Sequence, residues 1–125
     1  MAPDNRQFVP RRPRHAVNTA ADLRVEIERS AGRSPARFDV ELIDLSRSGF
    51  GICSKVPLDT DESLTLLLCH PPSGLRLTLP AIVQWQTREA DGSFYSGCRS
   101  AQQISWETLG ELFLNQVLMM EPPEQ

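Results

Sequence analysis

A chain of 125 residues and 14.0 kDa has the length of one domain. Its 40% apolar and 23% charged residues are ordinary soluble composition, and no apolar run approaches the ~20 residues that span a bilayer. A membrane-helix protein, a collagen, a zinc-finger array and a large multidomain enzyme are thereby excluded. The net charge of −3 divides unevenly: residues 1–37 carry eight arginines and a balance of +4, residues 38–125 a balance of −7. An acidic body of this kind opposes sequence-independent binding of nucleic acid. Twelve of the thirteen basic residues are arginine, which suits forked contacts to phosphate or carboxylate, although a GC-rich genome would also explain the bias. Three cysteines, Cys53, Cys69 and Cys98, lack metal-type spacing and point to a reduced protein. Met1–Arg6 has no apolar signal core, so a cytoplasmic location is expected.

Residues 1–21 read as a flexible arm, with Pro3, Pro10 and Pro13 interrupting any helix and Arg6, Arg11, Arg12 and Arg14 repelling one another. Strict apolar–charged alternation in Leu23–Glu28 predicts a half-buried strand, and Ala31–Pro35 is turn chemistry. Phe38–Leu42 alternates again as one strand, and Ser48-Gly49 feeds a third through Cys53. Pro57–Glu62 is an acidic loop, Leu64–Cys69 a further strand, and Pro71–Gly74 closes a hairpin. Leu75–Arg88 is expected as one strand bulged at Pro80. Asp91-Gly92 is a hairpin turn before a return strand at Phe94–Arg99. From Ser105, a plausible N-cap, the period changes: Trp106, Leu109, Phe113, Val117 and Met120 recur at three and four residues, and Leu112, Leu114, Leu118 and Met119 widen the apolar stripe. This predicts a helix as far as Pro122, lying as a lid on a small antiparallel barrel. Its surplus apolar surface belongs either to the barrel core or to a contact with a second chain.

No nucleophile with a matched base is evident. His15 and His70 stand alone, Cys69 and His70 project from opposite strand faces, and no phosphate loop, nucleophile elbow or zinc helix occurs. An enzyme is not expected, nor is a metal site.

The informative stretch is Asp44-Leu45-Ser46-Arg47-Ser48-Gly49, a D-x-S-x-x-G sequence at a strand end. An arginine cluster lies about 30 residues upstream; Val83-Gln84-Trp85, Gly97-Cys98-Arg99 and the helix follow. Over residues 4–120 the chain resembles a PilZ domain, with Asp44, Ser46 and Gly49 matching that family's second motif and Leu45 and Phe50 as companions. The resemblance implies a mainly β fold, a six-stranded antiparallel barrel with a C-terminal helix: the arm over 1–21, the barrel and helix over 22–120, a tail over 121–125. It implies cyclic di-GMP as a regulatory ligand, no conventional cofactor, and a cytoplasmic bacterial signalling role in motility, adhesion or exopolysaccharide control. The implied ligand-binding residues are Arg11, Arg12, Arg14, Asp44, Ser46 and Gly49, with Arg6, Arg47 and Trp85 as further candidates. Chemically, an Asp carboxylate can accept from a guanine Watson–Crick edge, arginines pair with phosphate, and glycine admits positive φ and close approach. Val83 and Trp85 share a face of an unbroken strand, which favours Trp85 as core over a ligand-facing role.

One motif departs from the family: its R-x-x-x-R interval is absent from the arm, where Arg6, Arg11 and Arg12 are followed four residues on by Pro10, His15 and Ala16. Two readings therefore stand. One is a stand-alone sensor that changes surface on binding and signals through an unidentified protein effector. The other is a degenerate adaptor that binds no nucleotide and works by protein contacts, with a homodimer through Leu112, Leu114 and Leu118 of the helix as the candidate assembly. Neither involves DNA, RNA or membrane insertion. A barrel binding single-stranded nucleic acid is disfavoured, because most of its few aromatics alternate inward.

Overall fold

A computed structural model describes residues 14–119. These form eight strands and one helix: β1 His15–Ala16, β2 Arg24–Arg29, β3 Arg37–Asp39, β4 Glu41–Leu45, β5 Gly49–Ser54, β6 Ser63–His70, β7 Leu75–Arg88, β8 Phe94–Ser100 and α1 Trp106–Leu114. All pairings are antiparallel in one curled sheet of order β1-β4-β5-β8-β7-β6-β2-β3. The two strands beyond the expected six arise from tethering at one end and division in the middle. The segment expected to belong to a flexible arm is paired from His15 onward, opposite Leu45. The strand expected over Phe38–Leu42 divides at Val40, whose amide bonds the Val25 carbonyl at 3.1 Å, so that β3 pairs with β2 and β4 with β5.

Alternation makes the concave face of the sheet. Val25 and Ile27, Leu64, Leu66 and Leu68, Leu79, Ala81 and Val83, Phe50 and Ile52 turn inward and are closed over by Leu109, Leu112, Val117 and Leu118. Gly32, Gly74 and Gly92 take φ of 90°, 74° and 89° in the β2–β3, β6–β7 and β7–β8 turns, a region that costs other residues strain. Pro80 stays in register opposite Thr65, exposed and without a bulge. The register shift falls instead between Val83 and Trp85.

The helix is shorter than its apolar pattern. Ser105 caps it, its hydroxyl accepting from the Thr108 amide at 3.0 Å, but it ends at Leu114. Gln116, at φ 60°, breaks the helix and directs Val117 and Leu118 back into the core. There Leu118 bridges to Val17, the Asn18 amide bonds the Val117 carbonyl at 2.8 Å, and the Met119 amide bonds the Ala16 carbonyl at 2.9 Å. The first and last described segments thus hold each other against the end of the sheet. Trp106, expected on the buried face, is exposed, while Leu112 and Leu118, the dimer contact of the adaptor reading, are buried in the core.

A second tie closes the acidic loop. The Arg29 guanidinium grips the buried Glu62 carboxylate with two bonds, Nε to Oε2 at 2.6 Å and Nη2 to Oε1 at 3.1 Å. The Asp59 amide adds a third at 2.9 Å. Burial alone would raise the Glu62 pKa, but the bonds from Arg29 and the Asp59 amide outweigh it and hold the carboxyl below its ordinary value.

Candidate functional site

The register aligns one row of residues across the outer face of four neighbouring strands. Asp44 of β4 lies opposite Gly51 of β5, Gly51 opposite Gly97 of β8, and Gly97 opposite Trp85 of β7; Ala16 of β1 continues the row beyond Asp44. Two glycines in mid-row leave room for the side chains of their neighbours. The Trp85 ring lies over Gly97, where an added Cβ would stand 2.3 Å from it. Tyr95, two residues from Gly97 on the same strand face, leans over Gly51 and meets Trp85 edge-on at 5.1 Å. Asp44, Tyr95 and Trp85 thus cover both glycines and set a carboxylate beside an aromatic pair.

Trp85 reaches this face because of the register shift behind it. On an unbroken strand it would follow Val83 inward; one extra residue reverses the alternation, leaving Val83 fully buried and Trp85 outside. A second shift, between Leu42 and Asp44, sets the phase of the Asp44 side while Leu42 and Leu45 both remain buried. The Asp44 Oδ1 accepts from Arg14 Nη1 at 2.9 Å, and Tyr95 Oη lies 3.4 Å from Oδ2. Burial, and then the charge of Asp44, push the Tyr95 phenol above its ordinary pKa, so it is a neutral donor at physiological pH.

The other motif residues hold the β4–β5 turn. The Ser46 amide bonds the Gly49 carbonyl at 2.8 Å, and the Ser46 hydroxyl accepts from the Ser48 amide at 3.2 Å. Gly49 is not at positive φ; it is a glycine because a Cβ there would stand 2.3 Å from the Cys98 carbonyl oxygen on β8. Arg47 faces away from Asp44: its Nε bonds the Ile104 carbonyl at 2.8 Å, and its guanidinium stacks 4.1 Å above the Trp106 ring. Of the sequence candidates, Asp44, Arg14 and Trp85 are gathered on one face. Ser46 and Gly49 lie behind it, Arg47 points elsewhere, and Arg6, Arg11 and Arg12 fall outside the described residues.

Tyr95, Gly51 and Gly97 were missed, because only the strand register makes neighbours of them. The R-x-x-x-R interval does occur outside the arm, at Arg29, Arg33 and Arg37, but those guanidinium groups pair with Glu62, Asp59 and Glu26. Among the described residues no cluster of three or more metal-ligating side chains forms, and no helix is long and apolar enough to cross a membrane.

A curled antiparallel sheet with a C-terminal helix and a D-x-S-x-x-G turn at its outer face defines a class of small regulatory ligand-binding domains. The family model for the PilZ domain matches residues 5–114, and the chain belongs to that family, which binds cyclic di-GMP as a regulatory ligand. Among solved structures, the MrkH–c-di-GMP complex from K. pneumonia superposes with a TM-score of 0.63 at 18% identity, covering 86% of this chain and 51% of that one. The Bacillus subtilis inhibitor of motility MotI/DgrA superposes with a TM-score of 0.57 at 15% identity, covering 86% and 50%. At such identities the likeness is one of fold, and this chain spans about half the length of either. No curated protein matches it in sequence.

Proposed function

We propose that this PilZ domain binds cyclic di-GMP on the outer face between Asp44 and Trp85 and signals by a change in the surface it presents to a protein partner. The observation that carries the reading is the Asp44–Gly51–Gly97–Trp85 row, a carboxylate and an indole separated by two residues without side chains. A purine can present its N–H edge to Asp44 and stack against the aromatic pair that covers the glycines. Arg14 already occupies the carboxylate, so it must leave Asp44 as the guanine arrives. Once released it can join Arg11 and Arg12 on the phosphates, with Arg6 as a further candidate. Ser46 and Gly49 serve by fixing the turn and the strand spacing that present Asp44. The reordering of residues around Arg14 then changes the surface beside β1 and the Gln116–Met119 segment bonded to it.

Calorimetric titration tests this. Heat and a melting shift are expected at or below ~100 μM ligand, and Asp44→Ala and Trp85→Ala should each weaken binding about tenfold or more, ~1.4 kcal/mol. Absence of both signals from the folded protein would overturn the reading. It would favour the non-binding adaptor, for which the specific observation is that the arginines with the family's interval, Arg29, Arg33 and Arg37, are all committed to carboxylates.

A further inference from the structure

Tyr95 meets both the carboxylate and the indole of the outer face, yet belongs to no sequence motif. It projects from β8, a strand paired on both sides, to β5 and to β7. Its ring meets Trp85 edge-on, with centroids 5.1 Å apart and an interplanar angle of 78°. Its hydroxyl lies 3.4 Å from Asp44 Oδ2. Gly51 is what lets the two groups meet. A Cβ on that glycine would stand 2.9 Å from Asp44 Oδ1, 3.0 Å from Tyr95 Oη and 3.0 Å from Tyr95 Cε1. Both polar tips converge over one glycine, and a side chain there would part them.

The two oxygens of Asp44 have unlike partners. Oδ1 accepts from Arg14 Nη1 at 2.9 Å, and Oδ2 faces Tyr95. An ionised carboxylate has about four lone-pair sites, so each oxygen can accept twice. Guanine offers two parallel donors, its ring N1–H and its exocyclic amine. Seating both requires both oxygens in the plane of the base. The terminal torsion of an aspartate is broad, so a carboxylate held by nothing presents one oxygen as readily as two.

We propose that Tyr95 sets base specificity at this site, its hydroxyl remaining on Asp44 Oδ2 when Arg14 leaves Oδ1 and holding the carboxylate in the plane that accepts both N–H groups of guanine. This role presupposes the nucleotide site between Asp44 and Trp85. Arg14 is the exchangeable partner of Asp44 and Tyr95 the fixed one. The Tyr95 ring is set against Trp85, and its phenol, raised in pKa chiefly by burial, keeps a proton to donate. Tyr95 acts through Asp44 and is a positioning residue. A base with a single N–H on that edge uses one oxygen and gains little from the alignment. Tyr95 therefore supplies selectivity for guanine over such a base, beyond affinity alone.

The test is a pair of calorimetric titrations, with cyclic di-GMP and with its inosine analogue, which lacks the exocyclic amine. The native chain should prefer the guanine ligand about tenfold or more, in the range of a bidentate base contact. Tyr95→Phe keeps the ring against Trp85 and removes only the hydroxyl, so circular dichroism should report an intact fold. It should weaken cyclic di-GMP about fivefold or more and the inosine ligand less than about twofold. Gly51→Ala should shrink the preference in the same way, because its methyl meets only side-chain atoms, which can move aside and carry Asp44 and Tyr95 apart. A ring that merely packs would lower both affinities alike. Equal weakening of the two ligands by Tyr95→Phe, or no weakening of either, overturns the proposal and leaves the nucleotide site standing. Binding of neither ligand by the native chain overturns both.

Discussion

Gly49, Gly51 and Gly97 are three strand glycines with three reasons for lacking a side chain. Gly49 admits the Cys98 carbonyl, Gly51 the Asp44 carboxylate and the Tyr95 ring, and Gly97 the Trp85 indole. The obstacle at Gly49 is backbone, which cannot rotate aside. Gly49→Ala should therefore separate β5 from β8 and cost about 1–3 kcal/mol in urea unfolding, the range for overpacking. Cys98, buried beneath, has its thiol pushed up to about 12 by burial, so it stays protonated and behaves as a small apolar side chain. Asp44 differs from these. It is half-buried, bonded to Arg14, and lies on the outer face of the sheet.

At the scale of elements, the Arg29–Glu62 pair ties β2 to the loop preceding β6. Both side chains are almost wholly buried, so removing one strands the other's charge, and Glu62→Ala should cost about 3–5 kcal/mol. The pair also confers a pH dependence. The Glu62 carboxyl titrates below its unfolded value of about 4.5, so its contribution is complete above that pH. That contribution is lost as the pH falls through the lower native value. Unfolding free energies measured from pH 6 down to pH ~3 should decline for the native chain and follow a flatter course for Glu62→Gln. The β7 strand is the second informative element. Its first half pairs with β6 and its second with β8, and the one-residue shift near Gln84 delivers Val83 to the core and Trp85 to the outside.

Across the whole molecule, the described chain is closed by its own ends. Val17 donates to the Ile43 carbonyl at 3.1 Å and bridges Leu118, and His15 meets the Phe113 ring edge-on at 4.8 Å. Residues next to Arg14 are therefore in direct contact with the segment that follows α1. Val17→Pro removes the donor to Ile43. Hydrogen exchange at the Asn18 and Met119 amides should then speed up, while β5 and β8 amides keep their protection. Equal loss of protection in both regions would mean that the two ends are not a separable unit.

Much of this architecture is legible in the residues themselves. Apolar–polar alternation located the strands, glycine located the hairpin turns, Ser105 located the start of the helix, and D-x-S-x-x-G marked Asp44 and the family. These are local signals, each contained within a few residues. What remained hidden depends on which strand lies beside which. Strand register makes neighbours of Asp44, Gly51, Gly97 and Trp85, residues up to 53 positions apart. A one-residue shift turned Trp85 outward, where alternation had placed it in the core. An apolar run without a breaker read as helix to its end, yet the helix stops at Leu114, Gln116 takes positive φ, and Val117 and Leu118 turn into the core, with Leu118 bridged to Val17. Local pattern thus determined the elements and the acidic anchor of the site. Tertiary structure alone decided its glycine row, its aromatic pair and the exposed stripe of α1, because burial and register are properties of the assembled sheet and not of any short stretch of chain.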